Sequence, residues 1–211
     1  KIDFNRDFDR FLGREWLALE TGNAAELEAF AQRHPVFIAK VPVSKSGAGV
    51  RRYDAADVTD WPAFHADLLA KGEVLIEERI LQHADLEAIA PGTANTTRVT
   101  TFVRDDGTVA IINMAQKFGR GQVSDQASFG GFYTALHEDG RAMGMGYNTS
   151  GALFETHPET GYRIADYRLP MMDAVRALIT EVALVIPEVR YVGWDIVVTP
   201  TGCLLYTSPS P

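Results

Sequence analysis

The stretch from Val36 to Tyr53 limits the fold more than any other part of the chain. Val36-Phe37-Ile38-Ala39-Lys40-Val41 is a β-rich run, and Val50 to Tyr53 can return antiparallel to it across the turn-forming stretch Pro42 to Gly49. The unit is strand, glycine loop, strand. It is not a Walker P-loop, because the order Gly-x-x-x-x-Gly-Lys-Ser/Thr is absent and the loop opens onto a strand instead of a helix. Lys40 ends the first strand, and Ser44-Lys45-Ser46-Gly47-Ala48-Gly49 follows, so an ammonium group meets a loop rich in backbone N–H groups. Phosphate oxygens bind well in such a place. The same spacing also fits an ordinary hairpin loop with solvated lysines.

Helices and hairpins surround this unit. Asn23, with Glu26 three positions on, predicts a capped helix to about His34, with Leu27, Phe30 and Ala31 on its apolar face. Asp60 caps a second helix with Trp61, Phe64, Leu68 and Leu69 on one side. Gly72 ends it before the strand Val74 to Glu77. His83 to Thr96 reads as irregular. Arg98 to Val103 and Val109 to Met114 form a hairpin about Asp105-Asp106-Gly107, and Phe132 to Leu136 pairs with Arg141 to Gly146 about Glu138-Asp139-Gly140. Pro170 to Val185 is a helix with Met171, Val175, Leu178, Ile179 and Val182 inward, and Tyr191 to Thr199 is the last strong strand. Its antiparallel partner, after Pro200-Thr201-Gly202, is expected to break off within three residues. The pattern is α+β in two lobes, 1–80 and 81–205. Leu204 to Pro211 reads as a translated sequencing adapter, or as a natural flexible tail of the same loop composition. With a start at Lys1 instead of Met, the expectation is a fragment cut at both ends, with 206–211 a non-native tail.

Composition excludes several partners. Twenty-eight acidic residues against 20 basic ones give a net charge of −8, and the basic residues are scattered, which argues against nucleic acid. Apolar runs such as Ala183 to Ile186 fall far below the roughly 20 residues of a membrane span, and no signal-peptide core follows Lys1 to Arg10, so the chain reads as cytoplasmic. Cys203 is the only cysteine, which rules out a disulfide framework or a cysteine metal site within the chain. His34, His65, His83, His137 and His157 lack the i, i+4 pairing of a zinc helix, and Ser128 lacks a nucleophile elbow.

Three further segments can carry chemistry. Glu77-Glu78-Arg79-Ile80 lies where one lobe passes into the next, and such a hinge can offer backbone groups to a purine edge and a carboxylate to ribose hydroxyls; it also reads as a solvated strand end. Asn95-Thr96-Thr97-Arg98 puts a guanidinium at the start of a buried strand, suited to a phosphoryl or carboxylate group or to a structural salt bridge. In Gly193-Trp194-Asp195-Ile196-Val197-Val198 one carboxylate interrupts an apolar strand and must be met by a cation or by donors. Metal ligation and a partnered core aspartate both satisfy that need.

Taken in order over about residues 10–205, these pieces resemble the ATP-grasp superfamily, in particular its branch associated with sugar transfer and exopolysaccharide clusters. The segments that carry the resemblance are Val36 to Lys40 with its Ser/Gly loop, Leu75 to His83, Asn95 to Thr100, Gly130-Gly131, His157-Pro158-Glu159-Thr160-Gly161 and Tyr191 to Ile196. It implies the ATP-grasp fold, two α+β lobes with ATP bound between them. Nucleotide contacts would come from Lys40, Ser44, Ser46, Gly47 and Gly49, from the hinge Glu77, Glu78, Arg79 and Ile80, and from His83. Arg98 and Lys117 would be catalytic, Arg98 steadying the transferred phosphoryl group and Lys117 standing where the branch tends to have arginine. Asp195 looks like the first of three Mg2+ ligands, whose other two belong to a Glu-x-Asn on the next strand. Thr207 and Pro209 occupy those places, and Val41-Pro42 stands where Lys-Pro is usual. The implied activity is an ATP- and magnesium-dependent ligase that forms an acylphosphate from a small-molecule carboxylate, sugar-linked substrates included, and joins it to an amine in polysaccharide or sugar-conjugate biosynthesis. A sugar kinase-like phosphotransferase and a nucleotide-binding module without turnover are the alternatives, and this fragment is expected to be inactive.

Overall fold

The computed structural model describes residues 1–19, 23–43, 49–121, 125 and 129–210, the last four of them by backbone alone. They divide into two units, one of Lys1–Asp7 with Arg14–Ile80, the other of Phe8–Gly13 with Leu81 onward. The elements up to the boundary are α1 (Ile2–Asp7), α2 (Asp9–Leu12), β1 (Trp16–Ala18), α3 (Ala24–Arg33), β2 (Val36–Lys40), β3 (Val50–Asp54), α4 (Trp61–Lys71) and β4 (Leu75–Glu78). In the first unit the strands form one antiparallel sheet in the order β1-β4-β2-β3, with Lys40 opposite Val50 and Ile38 opposite Glu77.

Strand alternation sends Phe37 and Ala39 of β2 into a core with Leu19, Ile76, Leu27, Phe30, Ala31 and Leu68. Helix α4 is built at its ends as its residues predict. Asp60 Oδ1 accepts from Ala63 N at 2.9 Å, and Gly72, at φ 69°, closes the helix in the left-handed region that glycine tolerates. Helix α3 differs. Asn23 makes no side-chain cap bond; its Oδ1 meets His65 Nε2 of α4 at 2.8 Å and its Nδ2 donates to Glu26 at 3.1 Å. The expected local cap is therefore exchanged for a tie between two helices.

The second unit continues with α5 (Ala84–Ile89), β5 (Thr97–Val103), β6 (Val109–Phe118), β7 (Phe132–Leu136), β8 (Gly146–Tyr147), β9 (Leu153–Phe154), α6 (Met172–Ala183), β10 (Tyr191–Thr199) and β11 (Gly202–Ser210). Its antiparallel sheet runs β11-β10-β5-β6-β7-β8-β9, and α6 packs on β5, β10 and β11. Both faces of β10 are covered, as its apolar run requires.

Three expectations are corrected here. The stretch His83 to Thr96 holds a helix, α5, capped by His83, whose Nδ1 accepts from Asp85 N at 3.2 Å. The return strand expected over Arg141 to Gly146 is reduced to a bridge between Leu136 and Ala142, followed by the two-residue β8. At Gly146, the first residue of β8, an added Cβ would lie 2.5 Å from Phe132 Cδ2 in a ring stacked on Phe154 at 4.4 Å. The partner of β10 does not break off after three residues but pairs with it through Ser210. It lies at the sheet edge, where a proline is tolerated because no outer neighbour needs its N–H. The β10–β11 register is irregular on either side of Asp195.

Gly146→Ala should destabilise the chain by about 1–3 kcal/mol, since the Phe132 ring cannot yield without disturbing Phe154. Urea unfolding checks this, and an unchanged midpoint would mean that the ring stack is not rigid.

Candidate functional site

Each unit contains a buried carboxylate held by cations. In the first unit it is Glu77 of β4, opposite Ile38 and so on the same sheet face as Lys40 of β2. The Lys40 Nζ pairs with Glu77 Oε2, while Arg14 Nη2 reaches Glu77 Oε1 at 2.9 Å and Asn5 Nδ2 donates to the same oxygen at 3.1 Å. Lys40, Arg14 and Glu77 are all buried. Burial pushes the Lys40 ammonium pKa down, against the attraction of Glu77. Burial alone would raise Glu77, but the Lys40 and Arg14 charges and their hydrogen bonds outweigh it and hold the carboxyl well below the usual carboxylate range. Beside this group, the carbonyl of Gly49 accepts from Val41 N at 2.8 Å and Gly49 takes φ 77°, so the described end of the glycine loop is anchored next to Lys40. Lys1 Nζ donates to Val41 O at 3.3 Å.

In the second unit the carboxylate is Asp195. Register puts Asp195 of β10 opposite Arg98 of β5, and Arg98 opposite Ala115 of β6, two residues before Lys117. All three charged side chains therefore share one face. Arg98 grips Asp195 in a fork, Nε to Oδ1 at 2.8 Å and Nη2 to Oδ2 at 3.0 Å, and adds Nη1 to Gly193 O at 3.3 Å. Lys117 Nζ donates to Asp195 Oδ1 at 2.9 Å. The side chain of Asp195 is 7% exposed, against 28% for Arg98 and 18% for Lys117, so the anion is inside and the two cations are what a ligand would meet. Both cations reach the same carboxylate and are more exposed than it is.

A buried polar network holds the strand ends that carry these side chains. Asn95 accepts from Gly119 N at 2.7 Å and donates to Gln82 Oε1 at 2.9 Å and Ala90 O at 2.7 Å. Gln116 Oε1 accepts from Thr97 Oγ1 at 2.7 Å and from the Tyr167 hydroxyl at 2.8 Å. His157 Nε2 lies 2.9 Å from Gly119 O while its Nδ1 accepts from Glu159 N at 3.3 Å, which assigns the proton to Nε2. The His157-Pro158-Glu159-Thr160-Gly161 motif is thus a brace with His157 buried and the rest exposed: Gly161 N bonds His157 O at 2.8 Å and Thr160 Oγ1 bonds Ile89 O at 2.8 Å.

The remaining candidates are placed as follows. Glu78 accepts from Glu15 N at 3.0 Å, and its own N–H bonds Glu15 O at 2.9 Å. Arg79 and Ile80 follow the end of β4 and are half-buried. His83 lies in the second unit, where it caps α5 and gives its backbone N–H to Val198 O at 2.8 Å. Ser44, Ser46 and Gly47 lie outside the described residues. Among the described residues, no group of three or more His, Cys, Asp or Glu side chains could hold a metal ion, and no helix is long and apolar enough to cross a membrane. The sequence reading missed Asn5 and Arg14, which clasp Glu77 from 72 and 63 residues away. No local pattern marks such a contact; a basic residue next to Gly13, just before an apolar strand, is the one faint signal.

Residues 65–206 match the family described as sugar-transfer associated ATP-grasp. Among solved structures, the chain is similar to D-alanyl-alanine synthetase A from Vibrio cholerae O1 biovar eltor str. N16961, at 11% identity and a TM-score of 0.54 over 98% of this chain and 53% of that one. It is also similar to D-cycloserine synthetase DcsG, at 13% identity and 0.53 over 97% and 59%. A third similarity is to the ATP-grasp ligase PsnB complexed with minimal precursor, at 16% identity and 0.51 over 99% and 50%. At such identities the likeness is one of fold. The chain spans about half the length of these solved structures. No curated protein matches it in sequence.

Glu77 generates a pH prediction. Its carboxyl is held below its ordinary value when folded, so in acid the unfolded chain binds more protons. The stabilisation is whole above about pH 4.3, the ordinary glutamate value, and is lost as the pH falls below it. Glu77→Gln should cost about 3–5 kcal/mol at neutral pH, by leaving Lys40 and Arg14 uncompensated, and should flatten the acid limb of stability against pH. Parallel acid limbs in the two proteins would show that Glu77 is not the group responsible.

Proposed function

The chain belongs to the sugar-transfer associated ATP-grasp family, and from that premise we propose that it is the ATP-binding portion of a ligase that activates a carboxylate by phosphorylation and joins it to an amine. The observation that carries this reading is the convergence of Arg98 and Lys117 on one sheet face, with Asp195 beneath them. Two fixed cations, more exposed than the carboxylate beneath them, suit a phosphoryl group, whose transfer depends chiefly on positioning and on compensation of negative charge.

In this reading Lys40 and the loop ending at Gly49 address the nucleotide phosphates. Glu77 serves as the counter-ion that keeps Lys40 charged in a dry setting, which leaves Glu78 to the ribose and the backbone through Ile80 to the adenine. A substrate carboxylate oxygen forms a bond to the γ-phosphorus as the bond to the β–γ bridging oxygen breaks, giving an acylphosphate and ADP. The amine nitrogen then bonds to the acyl carbon, phosphate leaves with the carbon–oxygen bond pair, and the nitrogen loses a proton. Arg98 and Lys117 would hold the phosphoryl oxygens in both steps. The family description favours a sugar-linked substrate in polysaccharide or sugar-conjugate biosynthesis.

Magnesium, which the family implies, does not fit the donors present. A hard cation asks for several oxygen ligands in octahedral array, whereas Asp195 is a single carboxylate with both oxygens already shared by Arg98 and Lys117, and the opposite strand carries Thr207 and Pro209. In this reading charge compensation of the transferred group in the chain as it stands falls to Arg98 and Lys117. The same observation favours, as a second reading, a nucleotide-binding module without turnover.

Two outcomes test these readings. The pair Lys40→Met with Glu77→Gln removes Lys40 and its counter-ion together, with Glu77→Gln alone as the control for the Arg14 left behind, and should weaken ATP binding about tenfold or more by calorimetry relative to that control; affinity unchanged from the control would take Lys40 away from the nucleotide. The chain itself should show no ADP release dependent on magnesium, whereas Thr207→Glu with Pro209→Asn should gain it, by roughly a thousandfold over background if the three-ligand site is restored. Equal release from both would remove Asp195 from any metal site.

A further inference from the structure

Asp125 has none of the roles assigned above, yet it is buried beside the charged face of the second unit. Its Oδ2 accepts two bonds from one residue, Thr96 N at 2.8 Å and Thr96 Oγ1 at 2.5 Å. The β5–β6 ladder ends at the pair Thr97 and Gln116, so the N–H of Thr96 lies just beyond its last pair, and a buried N–H needs an acceptor. Asp125 supplies it. The carbonyl of Thr96 accepts from Lys117 N at 2.9 Å and from Gln116 Nε2 at 3.2 Å. Thr96 is thus pinned between Asp125 and β6, one residue opposite Lys117 and two residues before Arg98. Alternation along β5 puts Thr96 and Arg98 on the same face.

An ordinary strand-end acceptor could have been a carbonyl or a water. A carboxylate is costly to bury: desolvation pushes the Asp125 pKa up, the Lys117 charge pulls it down and Asp195 raises it further. Lys117 therefore feels two carboxylates, Asp195 through a hydrogen bond and Asp125 through space. A group kept at that cost, at the root of both cations, has a use in aiming them.

We propose that Asp125 is a positioning residue, which by clamping Thr96 sets Arg98 and Lys117 at the spacing needed to take one terminal phosphoryl group. This rests on the assignment of those two cations to the transferred phosphoryl. Loss of the clamp lets the start of β5 slide relative to β6, so the two donors no longer converge. Binding of a nucleotide that ends in that group suffers, and binding of one that lacks it does not.

The test is calorimetric titration with ATP and with ADP, in the absence of divalent metal, of the whole chain and its variants. Asp125→Ala should weaken ATP binding about tenfold, the loss expected for disordered charge-assisted hydrogen bonds, and leave ADP binding unchanged. Asp125→Asn, whose amide oxygen accepts the same two bonds, should restore most of the ATP affinity. In an Arg98→Ala/Lys117→Ala background, Asp125→Ala should have no further effect. Equal weakening of ATP and ADP, or an undiminished effect in that background, would make Asp125 a structural residue only and overturn the proposal. Should Asp125→Ala fail to fold, Thr96→Val, which deletes one of the two bonds, replaces it: a loss of about threefold confined to ATP supports the clamp, and no loss overturns it. If Arg98→Ala/Lys117→Ala itself binds ATP as the parent does, the phosphoryl assignment fails first and the positioning role falls with it.

Discussion

A carboxylate removed from water must be met by positive charge, and both units of this protein are arranged around that requirement. Glu77 is closed in by Lys40, Arg14 and Asn5, and Asp195 by Arg98 and Lys117. The two solutions differ in what they leave over. Around Glu77 the partners are themselves buried, so the group is mainly a lock that ties the N-terminal segment to β2 and β4. Around Asp195 the partners are more exposed than the anion they hold. The same pairing there becomes a platform that offers positive charge outward.

The platform depends on neutral hydrogen bonding as much as on charge. Arg98 and Lys117 come from different strands, and their convergence requires the β5–β6 register to be held where both strands begin or end. Asn95, Gln116, Tyr167 and His157 do this by saturating one another around Thr97 and Gly119. At Gly119 the fit is close enough that a Cβ would lie 2.6 Å from Thr93 Cγ2. Such networks rigidify a core only when every member is satisfied, which explains why the segment around Asn95 is so rich in polar residues that are not exposed.

Much of this was legible in the residues themselves. The boundaries of β10, the caps of α4 and the alternation of β2 follow from local pattern, because apolar periodicity, an aspartate cap and a closing glycine act over a few positions. That Lys40, Arg98 and Asp195 need partners was also legible, since a charge set in an apolar strand must be met wherever the chain goes. Hidden were the partners in space: Asn5 and Arg14 for Glu77, Thr96 for Asp125, His65 for Asn23. The reduction of the return strand after Leu136 to a bridge and the two-residue β8 was hidden too.

The sequence by itself determined the antiparallel α+β character, the family and the short set of charged residues worth asking about, because these depend on interactions within a few residues and on motif order. Only the tertiary structure decided which cation meets which carboxylate, and which of them remains open to a ligand. Those outcomes depend on strand register and on contacts across 97 residues, as between Arg98 and Asp195; a shift of one position along a strand would turn each side chain to the opposite face.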